Sequence, residues 1–141
     1  MLVRIALAVA SLTLALSALS GNVALAAKPD RSSSSSIVLV LLNAPATTTT
    51  AVSGPRYGDQ VTFNVSTDET AYPFVNLKCY QNGDLVAEGW AGFFDGALGD
   101  RTFGLYSPQW TGGAADCTAW LNMYSHGKWR QLVSTSFHVD P

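Results

Sequence analysis

The chain has 141 residues, of which 13% are charged, with 8 basic side chains against 10 acidic ones and only two histidines. So sparse and mildly acidic a composition excludes the basic stripe that nucleic acid or an anionic membrane surface requires, and neither is expected as a partner. Once a leader is removed, about 115 residues remain, enough for one domain with its own core.

Met1-Leu2-Val3-Arg4 is a short segment with one positive charge, and Ile5 to Leu19 is apolar apart from serine and threonine. Ala24-Leu25-Ala26 and Ala27 supply the small residues a signal peptidase needs. Residues 1–26 therefore read as a secretory signal peptide cut at Ala26 or Ala27, which predicts a secreted, extracellular chain without membrane insertion after cleavage. An uncleaved anchor is the competing reading, but the apolar core is short for a spanning helix. Residues 27–36, from Ala27 through the serine run ending at Ser36, are polar and predict a disordered linker.

From Ile37 to Pro141 the pattern is that of β-structure. Ile37 to Leu42 predicts a first strand, and Ala44 to Pro55, with its threonine run, a loop. Val61, Phe63 and Val65 alternate with Thr62, Asn64 and Ser66, the mark of a half-buried strand. Tyr72 to Tyr80 predicts the next strand, with Val75, Leu77 and Cys79 sharing a face. Asn82-Gly83 then predicts a tight hairpin into Leu85-Val86-Ala87, because a type I′ turn needs positive φ at both central residues. A Gly/Asp-rich loop follows from Gly92 to Arg101, then a short strand over Thr102 to Tyr106 and a crossover from Ser107 to Ala114. Cys117, Ala119, Leu121 and Met123 alternate with Thr118, Trp120, Asn122 and Tyr124. Ser125-His126-Gly127 turns the chain into a last strand with Val133, Thr135, Phe137 and Val139 on its inner face. A three-residue turn here would place Ser125 opposite Trp129, Leu121 opposite Val133 and Cys117 opposite Phe137. A two-residue turn would slip that register by one.

About seven short strands in roughly a hundred residues predict an all-β, immunoglobulin-like antiparallel sandwich. A small open barrel is the alternative. Cys79 and Cys117 are the only cysteines, and in an exported chain they most simply form one disulfide; a pair of buried thiols is the other reading. With Cys79 in the third strand and Cys117 in the penultimate one, the bridge would lie within one sheet. Antibody-type domains differ, since they join their two sheets by the bridge and carry a tyrosine two residues before the second cysteine, where this chain has Ala115.

Three segments carry a resemblance: Gly58 to Phe63, Cys79-Tyr80-Gln81, and above all Trp110 to Ala119. Over Ile37 to Pro141 the chain resembles uncharacterised secreted actinobacterial proteins with an immunoglobulin-like β-sandwich domain. The resemblance implies export and fold, and nothing about a substrate.

No grouping supports catalysis. His126 sits in a turn and His138 near the end, neither beside another ligand at metal spacing, so no metal or cofactor is expected. Asp95 and Asp100 in the glycine loop would make a poor calcium site, and turn formation accounts for them. Glu88 stands apart from both aspartates, which disfavours a paired-carboxylate glycosidase. Asn64-Val65-Ser66 matches an N-glycosylation sequon. The aromatic residues carry more. Trp90, Phe93, Phe94 and Trp110 flank loops, whereas Tyr80, Trp120 and Tyr124 fall on the face opposite the cysteines. If exposed, those three form a binding face for a protein or glycan ligand. If covered by loops or by the Ile37 to Thr50 segment, they are ordinary cross-strand pairs. The expectation is a non-catalytic binding or adhesion module, with a carbohydrate-binding module or small carbohydrate-active enzyme as the alternative.

Overall fold

The computed structural model describes residues 34–43 and 54–141. The expected leader, most of the expected linker and the threonine run lie outside the described residues. Seven strands follow in chain order: β1 (Ser35–Leu41), β2 (Gln60–Thr67), β3 (Phe74–Gln81), β4 (Asp84–Gly92), β5 (Phe103–Gly104), β6 (Ala115–Ser125) and β7 (Lys128–Val139). They form two antiparallel sheets, one ordered β1-β2-β5 and the other β4-β3-β6-β7. The pairs that hairpins predict, β3 with β4 and β6 with β7, are adjacent. Two separate sheets exclude the open barrel.

The period-2 alternation places one face of each sheet in a shared core. Val61 and Phe63 of β2 meet Val75, Leu77 and Cys79 of β3 and Cys117, Ala119 and Leu121 of β6, all buried. Phe63 and Phe103 meet edge to face, 5.5 Å between ring centres, a geometry that adds to the burial of their area. Gly89 lets β4 pass close over this pair. A Cβ there would lie 2.8 Å from the Phe103 ring, so any side chain at this position forces Phe103 to move.

Cys79 lies directly opposite Cys117, with Cα atoms 4.0 Å apart, and the two are bonded. The bridge joins neighbouring strands of one sheet, as the sequence predicts, and free thiols are excluded.

Both hairpins differ from the simple register, and in the same way. Asn82 (φ 53°) and Gly83 (φ 92°) make the expected two-residue turn, pairing Gln81 with Asp84. The ladder then skips Val86, so that Cys79 faces Ala87. The skipped residue is buried, and its carbonyl accepts a hydrogen bond from the Ser107 hydroxyl. That same Ser107 oxygen accepts the backbone N–H groups of Gln109 and Trp110, both at 3.1 Å, closing the turn that starts the crossover. The strand expected over Thr102 to Tyr106 is only Phe103–Gly104, and Leu105 beyond it exchanges backbone hydrogen bonds with Gly58 and Asp59.

In the second hairpin, His126 (φ 52°) and Gly127 (φ 76°) make a two-residue turn, not the expected three-residue one. Ser125 faces Lys128 and Tyr124 faces Trp129. A bulge at Leu132 then absorbs the one-residue slip, restoring Leu121 opposite Val133 and Cys117 opposite Phe137. Leu132 and Val133 both pack on the core. Leu121 and Val139 are buried as expected, but Val133 and Phe137 are only half-buried, because β7 is an edge strand. The predicted boundary at Ile37 also moves: β1 opens at Ser35, which pairs with Thr67.

Candidate ligand-binding face

The face of the four-stranded sheet away from the core carries the residues of alternate register. On β3 these are Phe74, Asn76, Lys78 and Tyr80; on β6 they are Thr118, Trp120, Asn122 and Tyr124. Trp90 lies opposite Asn76, and Trp129 opposite Tyr124, so both join this face. β1 pairs with β2 in the other sheet and does not cover it.

Two surfaces result. Toward the Phe74 end, rings follow one another at 5.2–5.3 Å between centres: Tyr72 on Phe94, Phe94 on Phe74, Phe74 on Trp129, and Trp129 on both Trp90 and Tyr124. Trp90, Trp129 and Tyr124 keep 51%, 52% and 58% of their surface exposed, so this is a wet aromatic ridge rather than a second core. Across the middle of the sheet runs an open trough of about 370 Å³, lined by Asn76, Lys78, Tyr80, Trp90, Trp120, Asn122 and Gln131. Beyond Trp90 lies an apolar hollow of about 390 Å³ between Phe74, Phe94, Ala97 and Leu98. Trp90 is the wall common to both.

Asn76 and Asn122 form the floor of the trough, only 5% and 8% exposed. Asn76 Nδ2 donates to Glu88 Oε1 at 3.3 Å and to the Gly89 carbonyl at 3.2 Å, while Asn122 Nδ2 donates to the Trp120 carbonyl at 3.0 Å. Among the described residues neither Oδ1 accepts a hydrogen bond, and neither is fully sealed from solvent, so each amide that lines the trough keeps an unfilled acceptor. A buried amide with an unfilled acceptor can take a hydrogen bond from a donor outside the protein.

Lys78 Nζ sits 3.2 Å from Glu88 Oε1. This ammonium, with help from the Asn76 amide, holds the Glu88 carboxyl below the usual carboxylate range, against a smaller opposing effect of burial. A lowered folded-state value means stability that is complete above the unfolded value, about 4.3, and lost as pH falls through the folded one. Glu88→Gln should therefore melt below the parent at neutral pH, with the gap closing as both are titrated below pH about 4; a gap that persists in acid would assign the loss to packing instead.

The sequence-predicted face residues are divided by the structure. Tyr80 and Trp120 line the trough, and Tyr124 belongs to the ridge. Trp110, expected beside a loop, is in the core, and Phe93 packs on the core under Arg101. Phe74, Trp90 and Trp129 are the face residues that sequence reasoning missed. Phe74 shares the parity of Tyr80 and was there to be found; Trp129 was hidden by the turn, since a three-residue loop puts it on the inner side. Asp100 accepts the Thr102 backbone N–H at 3.1 Å, as a turn aspartate does. His126 bonds Ser125 at 2.7 Å, and His138 pairs with Asp116 at 2.8 Å. Among the described residues no three metal-ligating side chains converge. Comparison with protein-family models, curated proteins and solved structures finds no match.

Proposed function

We propose that this chain is a secreted, non-catalytic binding module of the immunoglobulin-like kind, which meets its ligand through the outer face of the β4-β3-β6-β7 sheet. The observation that carries the reading is the exposed ring ridge around Trp90 and Trp129, continuous with a trough whose floor is amide. Aromatic surface of this size left in water is costly unless a partner covers it. Export is supported by the leader pattern and by the disulfide, which persists in oxidising compartments. The immunoglobulin-like assignment is supported by two hairpins and three inter-sheet crossings, with the fourth strand beside the third. The resemblance to secreted actinobacterial proteins agrees with both.

A glycoside hydrolase of the usual kind needs two carboxylates converging on a groove, and among the described residues none lines the trough. A screen of the mature domain against glycans and surface proteins tests the reading. A ligand retained by the parent should be lost on Trp90→Ala or Trp129→Ala with the circular dichroism spectrum unchanged. Retention by both variants would remove the face from the account.

A further inference from the structure

Resting on that binding-face reading, we infer that the trough holds a strand of neutral polysaccharide. Its two kinds of surface suit the two kinds of surface on a pyranose. The rings of Trp90, Trp120 and Tyr80 offer apolar faces for the C–H side of a sugar, and the Asn76 and Asn122 carbonyl oxygens offer acceptors to its hydroxyls. The amides are more than nine-tenths buried, whereas Tyr80 and Trp90 keep 39% and 51% of their surface exposed. A flat protein surface resting on the rings would not reach them. A thin ligand edged with hydroxyl groups would.

Charge narrows the class further. Among the described residues Lys78 is the only cation lining the trough, and Glu88 compensates it at 3.2 Å. An anionic polymer would find no free positive charge to pair with its carboxylates or sulfates. Length also bears on the ligand. The trough crosses from Trp90 on β4 to Gln131 on β7, three strand spacings or about 14 Å. That span suits a short run of linked sugars rather than one.

The test is retardation of the folded, oxidised mature protein in native gels containing β-1,4-glucan, xylan, galactomannan or α-glucan, with polygalacturonate as the anionic control. At least one neutral polymer should retard the protein, equally at low and high salt, and more than polygalacturonate does. Trp90→Ala should weaken that binding about tenfold or more, and so should Asn122→Ala. Gln131→Ala, at an exposed position whose side chain makes no hydrogen bond among the described residues, gives a weaker effect in the same direction and guards against Asn122→Ala failing to fold. Retardation by no neutral polymer overturns the glycan inference, as does binding that salt abolishes. If a protein ligand is nonetheless captured and lost on Trp90→Ala, the binding face stands and only the glycan falls. Glycan binding that survives Trp90→Ala, Asn122→Ala and Gln131→Ala would overturn the trough as the site.

Discussion

Reducing the Cys79–Cys117 bond should lower the melting temperature by roughly 12–20 °C. The bond closes a loop spanning 38 residues between β3 and β6, and the restriction it places on the unfolded chain is worth about 3–4 kcal/mol. For a domain of just over a hundred residues each kcal/mol moves the midpoint by roughly 4–5 °C. Both cysteines are buried, so a reductant added to the native protein should act only as fast as the sheet opens. Melts of the oxidised chain, the chain reduced in denaturant and refolded, and a Cys79→Ala/Cys117→Ala double variant give the comparison. The two reduced forms should agree within a few degrees. An unchanged midpoint in both would mean that the unfolded chain is as confined without the bond as with it.

Trp110→Ala should be the most damaging single substitution outside the cysteines, at about 3–5 kcal/mol. The indole is almost wholly buried and donates from Nε1 to the Gly113 carbonyl at 3.1 Å. Tyr57 meets it edge to face, 5.4 Å between centres, and donates its hydroxyl to the Trp110 carbonyl at 3.0 Å. Removing the ring leaves a cavity where the crossover enters the core and an acceptor without its donor. Trp110→Phe keeps a ring but not the N–H, and should cost about 1–2 kcal/mol. Urea unfolding would show both as lower midpoints at nearly constant slope. Trp90→Ala, on the exposed ridge, should cost less than Trp110→Ala; the reverse order would mean that the two tryptophans have exchanged the roles assigned to them.

Much of this was legible in the residues because alternation is a local signal. Val61-Phe63, Val75-Leu77-Cys79 and Cys117-Ala119-Leu121 each declare a core face on their own, and Asn82-Gly83 declares its turn. What alternation cannot show is where a strand gains a residue. The bulges at Val86 and Leu132 leave no mark in the sequence, since a buried valine or leucine reads the same whether or not it is paired. The consequence for the site was large. With the wrong turn length at His126-Gly127, Trp129 falls on the core side, and the ridge loses the ring that touches Phe74, Trp90 and Tyr124. The Trp110 position was hidden for another reason: it is set by Ser107 and Gly113 in an irregular segment, where hydrogen bonds rather than periodicity decide which way a side chain turns.

The bridge between β3 and β6 has a further consequence if the domain is ever loaded mechanically between its ends. Force would enter through β1 and leave through β7, and the segment between Cys79 and Cys117 would be withheld from extension, shortening the extensible chain by ~130 Å for the 38 residues it closes. Trp90 and Phe94 lie inside that protected loop, whereas Trp129 and Tyr124 lie on the chain that stretches. Tension that unzips β7 from β6 would therefore draw Trp129 away from Phe74, Trp90 and Tyr124 while the locked segment kept Trp90 and Phe94, so that grip on a ligand held there would fail in a step set by one strand pair and not by unfolding of the whole domain.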